Sequence, residues 1–538
     1  MFLITSGAYV SQDLVSEIGQ LPPAFLPVGN QRLFIYQLEQ LAQVSSDIYL
    51  SIPEGYPLER HERVLLEQYG VSILPVPEGL TLGESVLYCW NSTGKRYDNL
   101  QILHGDTLIR GMDFSLLDSV SIAQNQGYYH RATVSRGNLV NGAIEDAWAG
   151  DDEWILSGYF SFSQPQRFIQ GIVKNSGDFI AGLQYYSHMC PLKGIESCEW
   201  FDFGHINTFF RSRTLITTQR AFNEMSITPR VVSKASHKSI KMLAEVNWFR
   251  SLPENLRIYT PHLVSDNTEA EIASYSLEYL YLLPLNDMFV YGNLPGNVWY
   301  QIFDACKQVN EALASHRPDV ATSPDKLNSL YLPKTLARLD EFATQRSFDI
   351  SKPVTFNGVE LPPLLDIAYE TAKLIPSAST TDEGISHGDF CFSNILYDAR
   401  VQSIKLIDPR GIDNEGNLSI YGDTRYDIAK LYHSVIGLYD LIIAHRFTLT
   451  GNLETGSFDL EFPDMERLSV VQETFRKCFF ARCPEREKVT LAITVHLFLS
   501  MLPLHADRVE GQVAMLANAL RLYRMLVESD VVRFEEVA

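Results

Sequence analysis

The chain opens on a short apolar run, "MFLITSG", and soon reaches "LFIYQLEQLAQV", where Phe34, Leu38 and Leu41 recur at helical spacing. The first run has the length of a strand; the second predicts a helix. The alternation continues. "SDIYLSIP" and "VSILPV" are strand-length runs, "LGESVLYCWNSTG" reads as a helix closed by Gly94, and "LQILHGDTLI" as a further strand with polar residues near its end. Strands alternating with helices predict a parallel, doubly wound α/β sheet over the first two hundred residues. Ligands of such sheets sit outside the carboxyl ends of the strands, and Asp106 falls near such an end.

From about Arg213 the pattern changes. "TLITTQRAFNEMSITPRVVSKAS" predicts a hairpin of short strands, and "HKSIKMLAEVNWFRSLP" a helix that stops before Pro253. Beyond "YLLPLNDMFVYG" helical spacing dominates, as in "NVWYQIFDACKQVNEALASH" and "TLAITVHLFLSMLPLHADRV". One island interrupts it: "HGDFCFSNILYDARVQSIKLIDPRG" reads as loop, strand, turn, strand. The expected order is an α/β domain at 1–213, a linker near 213–220, and an α+β two-lobed unit with its strand-rich lobe at 214–285 and its helical lobe at 286–538.

A chain of 538 residues is too long for one core, which agrees with this division. The formal net charge of -21 excludes general nucleic-acid binding, which needs a cationic face. It leaves nucleotide binding open, because a metal ion and a few local cations neutralise phosphates. Seven scattered Cys with no CxxC pair predict free thiols in a reducing compartment. The start has no basic leader, and no apolar run of about 18 residues stands out. A cytoplasmic protein without a membrane span is expected.

The candidate chemistry lies in "ISHGDFCFSNILYD", which sets Asp389 and Asn394 five apart in an apolar segment, with Asp408 following in "IKLIDPRG". Buried carboxylates and amides require partners, supplied either by a hydrogen-bonded core network or by a bound cation and its ligand. Phosphoryl transfer asks for such a set: a base or aligner for the attacking hydroxyl, and hard oxygen ligands for Mg²⁺.

"HGDFCFSN" followed by "IDPRG" resembles the HGDxxxxN loop and metal-binding Asp of the aminoglycoside phosphotransferase and choline kinase family, a branch of the protein-kinase-like fold. The resemblance implies Asp389 as catalytic residue, Asn394 and Asp408 as Mg²⁺ ligands, and Asp427, in "GDTRYDIAKLYHSV", as a buried brace of the loop. "RVVSKAS" resembles the VAIK strand, making Lys234 the ATP-phosphate ligand, with Glu245 in the next helix to position it. "SYSLEYLYLLPLND" would be the hinge strand, where Glu278 and Leu280 offer backbone to the adenine.

The first half resembles sugar-phosphate nucleotidyltransferases in "PPAFLPVGNQRLFIYQLEQL", "LQILHGDTLI", "WILSGYFSFSQPQRFIQGI" and "CEWFDFGHINTFFRSR". The resemblance implies Asp106 and Asp202 as ligands of Mg²⁺ on CTP or another nucleoside triphosphate. The family's Gly-rich, Arg-bearing opening is reduced here to "TSGAYVSQDL", leaving Gly7 as the nucleotide-binding glycine; the family's Lys is Pro23, and the first basic residue is Arg32. His205 and Asn207 are candidates for substrate contact or for structural hydrogen bonds; Tyr185 and Tyr186 read as packing, and "FDLEFPDMER" as a solvated face or a surface for a cationic alcohol.

Together these resemblances imply a bifunctional enzyme. An ATP-dependent kinase would phosphorylate a small alcohol or sugar, and a nucleotidyltransferase would activate the product, in capsule or surface-polysaccharide biosynthesis. The partners implied are nucleotides and a small hydroxyl substrate, and an oligomer is compatible with the sequence. Three rivals stay open: a kinase with a nucleotide-binding but inactive front domain, an active nucleotidyltransferase with a silent kinase-like domain, and a non-catalytic assembly protein.

Overall fold

The computed structural model describes all residues except 43–46, 126–128, 135–137, 140–143, 149–152, 197–198, 217–223, 238–239, 269–271 and 538; at 138–139, 144–148, 224 and 529–537 it describes the backbone alone. Two compact units emerge, Met1–Thr218 with Tyr291–Asn293, and Gln219–Val290 with Leu294–Ala538.

In the first unit Phe2 and Ile4 enter one apolar cluster with Phe25, Phe34 and Leu50, while Leu3 enters another with Ile102, Phe160 and Phe179. This two-residue period buries both faces of the strand Phe2–Thr5, as a central strand covered by helices requires. Phe2–Thr5 pairs in parallel with Ile48–Pro53 and Leu100–His104, and Ile48–Pro53 pairs in parallel with Val71–Val76. The all-parallel expectation fails at Trp154–Phe162, which runs antiparallel to both Leu100–His104 and Ser119–Gln124. The sheet is therefore mixed. Its direction changes there because neighbour order is set by tertiary pairing, which a local apolar run does not carry.

"LQILHGDTLI" is two strands, Leu100–His104 and Thr107–Arg110, separated by a turn at Gly105 and Asp106. Gly105 donates its N–H to Thr5 O (2.8 Å), and a Cβ there would lie 2.7 Å from the same oxygen, so this close approach admits only glycine. The expected hairpin from Thr214 starts later. Helix Ile206–Ile216 runs through it, burying Phe209, Phe210 and Ile216, because packing of this face overrides the strand preference of its β-branched end. The rest of the expected linker, 217–220, lies outside the described residues.

The second unit begins with a four-stranded antiparallel sheet in the order Glu224–Ile227, Val231–His237, Ile272–Glu278, Leu263–Asn267, with helix Ile240–Ser251 packed on it. Helices then dominate, interrupted by the hairpin Ile395–Asp398 and Ser403–Leu406. A second four-stranded sheet was not foreseen. It joins Val354–Phe356 and Val359–Leu361 to Thr448–Asn452 and Ser457–Glu461. The run "FDLEFPDMER" is therefore half strand, burying Phe458 and Leu460 on one side and leaving Asp459, Glu461 and Glu466 on a solvated face.

Contrary to the expectation of no such run, Pro484–His505 is long and apolar enough by composition to cross a membrane; 78% of its apolar window is buried in the protein. The six described cysteines are free. Within Pro484–Met501, His496 lies between two hydroxyls, Thr335 Oγ1 on Nδ1 (2.9 Å) and Thr371 Oγ1 on Nε2 (3.1 Å). Burial pushes its pKa down to about 4. An unfolded chain takes up this proton near pH 6.5, before the folded one does, so the contribution is intact above that pH and is lost between 6.5 and 4. At about 1.36 kcal/mol per pH unit this amounts to roughly 3 kcal/mol. Urea midpoints at pH 7 and 4.5 are expected to differ less for His496→Gln than for the native chain.

Candidate active site

Lys234 lies within Val231–His237 and pairs across the sheet with Tyr275. Its Nζ meets Glu245 Oε2 at 3.5 Å and is in closer contact with Asp408 Oδ1; all three side chains are largely buried. Glu245 comes from helix Ile240–Ser251, and its Oε2 also accepts from the Tyr275 hydroxyl. Burial, with Glu245 and Asp408 adding to it, pushes the Tyr275 phenol well up, so it stays a donor. Two carboxylates share the Lys234 ammonium here, and Lys241 Nζ meets the other oxygen of Glu245, Oε1, at 3.9 Å.

Asp408 sits one residue beyond Ile407, whose N–H donates to Asn394 O (3.0 Å). The two residues are thus adjacent across the hairpin base. Asp408 has φ +56°, a left-handed conformation that costs a non-glycine residue about 1 kcal/mol or more and that tends to be kept at functional sites. Asn394 donates Nδ2 to Asp389 Oδ2 (2.9 Å) and Asp389 O (3.0 Å), which turns its amide oxygen away from Asp389; among the described residues that oxygen accepts only a long bond from the Ser393 hydroxyl (3.4 Å). That oxygen and the Asp408 carboxylate are hard donors and fit Mg²⁺, which keeps several waters and needs few protein ligands. Among the described residues no group of three or more His, Cys, Asp and Glu is placed to hold a metal ion, so any such ion here would rely on this mixed pair.

Asp389 is the most open member, with 40% of its side chain exposed, and its Oδ1 meets Lys430 Nζ at 2.9 Å. Burial raises its pKa, but Lys430 more than reverses that and holds the carboxyl at about 2. The loop carrying it is braced from behind. Asp427 accepts the N–H groups of His387 and Gly388 (2.8 Å each), and burial pushes its carboxyl up to about 7. His387 Nε2 meets Ile407 O at 3.0 Å, and burial keeps the ring neutral by lowering its pKa. Gly388 has φ +73°, and a Cβ there would lie 2.6 Å from Arg410 Cβ.

Of the hinge residues, Glu278 closes the strand Ile272–Glu278 and donates its N–H to His262 O (2.9 Å), while Leu280 follows and accepts from Leu282 N (2.8 Å). Lys430, Tyr275 and Arg410 were missed. Only Lys430 carried a local signal, a charge three residues after Asp427 on a helix whose neighbours Tyr426, Ala429 and Leu431 are buried.

In the first unit Asp106 and Asp202 are brought together by pairing of Thr107–Arg110 with Glu199–Asp202. A Cβ on Gly204 would lie 2.6 Å from Asp106 Oδ2 and 3.3 Å from Asp202 Oδ1, so both carboxylates close on that glycine. Burial raises the Asp106 pKa and Asp202 adds to it, against the pull of His104 and Arg131. Two facing carboxylates fit a cation. Arg131 already ion-pairs with Asp202 Oδ2, another contact not foreseen. Arg131 and His104 also line a cavity of about 610 Å³ with Gly83, Leu156 and Phe179. Gly7 is closely packed: a Cβ there would meet Ser85 Oγ at 3.1 Å and Val76 Cβ at 3.2 Å. Arg32 faces no open site, being buried against Glu62 Oε1 (2.5 Å) and donating to Phe25 O (2.7 Å). His205 stacks on Tyr129 at 4.1 Å, Asn207 donates to Tyr129 OH (3.1 Å), and Tyr186 is buried with its hydroxyl on Asp118 Oδ1 (2.5 Å). Tyr185 OH accepts from Lys174 Nζ at 2.8 Å.

A small antiparallel sheet with one helix thus brings Lys234 and Glu245 to Asp408, which lies beside Asn394 and Asp389 in the helix-rich part of the same unit. Solved structures similar to the chain include members of two kinds. One includes the inositol-1-phosphate CTP transferase of T. maritima, 13% identical over 40% of this chain and 95% of that one, with a TM-score of 0.31. The other includes aminoglycoside-3'-phosphotransferase of type VIII, 14% identical over 51% and 89% with a TM-score of 0.31, and a thermostable mutant of aminoglycoside phosphotransferase APH(4)-Ia, 12% identical over 58% and 93% with a TM-score of 0.34. No family model matches the chain, and no curated protein does.

Proposed function

We propose that the second unit transfers the terminal phosphoryl group of ATP to the hydroxyl of a small molecule. The observation that carries this reading is the pair of linked clusters, Lys234 between Glu245 and Asp408, and Asn394 bonded to Asp389 on the same loop. Lys234 holds the nucleotide phosphates, Glu245 keeps the ammonium in place, and Asp389 accepts a hydrogen bond from the attacking hydroxyl and points it at phosphorus. Its low pKa makes Asp389 an orienting acceptor rather than a proton store, which suits a loose transition state that needs little base. Mg²⁺, bound by Asn394 and Asp408, would supply neutralising charge. The test follows phosphate transfer from ATP for the native chain and for Asp389→Asn.

For the first unit the reading is nucleotidyl transfer from CTP or another triphosphate, with Asp106 and Asp202 as the metal-binding pair, activating a phosphorylated sugar or alcohol for surface-polysaccharide assembly. A second reading, a unit that binds a nucleotide without reacting it, is favoured by the Arg131–Asp202 ion pair and by the burial of Arg32. Pyrophosphate release separates them. Under the first reading Asp202→Ala lowers release by about a hundredfold or more while sparing phosphoryl transfer; under the second the native chain releases none.

A further inference from the structure

Beside Asp389 the second unit gathers three cations, Lys334, Lys430 and Arg410, around Tyr426. Tyr426 and Lys430 are one helical turn apart within Thr424–Val435, so they share a face. Lys430 is taken by Asp389. Lys334, half-buried on Leu332–Arg346, has the Tyr426 hydroxyl (3.4 Å) and ring face (5.6 Å) as its partners, with no carboxylate among the described residues. Arg410 donates its backbone N–H to His387 O (2.8 Å) and lays its Cβ against Gly388, yet its guanidinium has no hydrogen bond or ion pair among the described residues. Arg410 and Tyr426 line one cavity with His387 and Gly388, next to the proposed aligning carboxylate. Each acid that the ion pairs place around this cavity already has a cationic partner, Asp413 and Glu415 sharing one. Lys326 holds Asp413 (2.9 Å) and Glu415 (2.8 Å), and Arg425 holds Asp423 (2.6 Å). The Tyr426 phenol is lowered despite its burial because Lys334, Lys430 and Arg410 all act on it, and Lys334 is lowered by burial and by the other two cations.

We propose that the acceptor is a hydroxyl compound bearing an oxyanion, a phosphate or a carboxylate, which Arg410 and Lys334 bind while its hydroxyl lies at Asp389. A cationic alcohol would meet repulsion on this side of the loop. The inference rests on the phosphotransferase reading. In the reaction the acceptor oxygen bonds to the γ-phosphorus of ATP, the bond from that phosphorus to the β,γ-bridging oxygen breaks, ADP leaves with the electron pair, and the hydroxyl proton passes to water.

The test uses the full chain with Mg²⁺ and ATP and a matched panel: glucose 6-phosphate and glucuronate against glucose, glycerol 3-phosphate against glycerol, and choline and kanamycin as cations. An anionic member is expected to exceed its neutral partner by about tenfold or more in kcat/KM, the two anions separating phosphate from carboxylate as the source. Arg410→Ala and Lys334→Met should raise the KM of that acceptor about tenfold with the KM of ATP within about twofold, and Arg410→Lys should recover part of the loss. Calorimetry gives a readout without turnover: glycerol 3-phosphate should bind more tightly than glycerol, and Arg410→Ala should remove the difference. Preference for choline or kanamycin, equal use of glucose and its anionic partners, or equal effects of the variants on ATP and acceptor overturns the proposal. A chain that binds Mg²⁺ and ATP yet shows no difference between glycerol 3-phosphate and glycerol overturns it while the phosphotransferase reading stands. A chain that binds no ATP overturns both.

Discussion

Asp389→Asn is expected to slow phosphoryl transfer by about a thousandfold, with binding of ATP and Mg²⁺ changed by no more than about twofold. The substitution keeps size and planarity, and the bond from Asn394 Nδ2 to the main-chain oxygen of residue 389 survives it. What it removes is the charged acceptor that Lys430 keeps ionised. Because that carboxyl titrates at about 2, the native rate should show no break from Asp389 between pH 5 and 8. Steady-state kinetics with radiolabelled ATP, paired with nucleotide titration, read both numbers. Retention of more than about a tenth of the rate would make the loop a structural element and remove Asp389 from the chemistry.

Lys234→Met is the other large effect, and it acts on two properties at once. The ammonium stands between Glu245, 1% exposed in its side chain, and Asp408, 19% exposed. Removing one partner of such a group leaves buried charge unanswered and costs about 3–5 kcal/mol of stability. The variant also loses a donor aimed at the nucleotide phosphates, which lowers kcat/KM by about a hundredfold or more. The double variant Lys234→Met/Glu245→Gln separates the two. Urea unfolding should recover part of the stability, since the uncompensated carboxylate is gone, whereas activity should not return. Equal recovery of both would mean that the lysine acts only by holding the fold.

The loop from His387 to Asn394 was legible because its chemistry is local: five residues set both the carboxylate and the amide, and the turn needs Gly388 at positive φ. The hairpin that brings Asp408 beside Asn394 was legible for the same reason, two short apolar runs across a turn. Lys430 and Arg410 were not. "DIAKLYHSV" shows only a charge among buried neighbours, and "DPRGI" not even that; neither names the carboxylate or cavity that the side chain meets once helix Thr424–Val435 packs behind the loop. Asp106 and Asp202 lie nearly a hundred residues apart, and Arg131, which pairs with Asp202, lies on a strand whose sequence neighbours give no metal or phosphate signal. The reversal of Trp154–Phe162 was hidden because a strand buried on both faces reads alike in either direction.

Gly411 extends the reach of the site beyond its side chains. It has φ +63°, and a Cβ there would stand 2.1 Å from Ala244 O, the residue before Glu245. No other residue type can let the segment after Asp408 lie so close to that helix. The peptide that follows one member of the ion-pair network is thereby wedged against the backbone that delivers another. A molecule pressing on the stretch from Pro409 onward would therefore push first against the backbone that delivers Glu245, the nearest structure on that side.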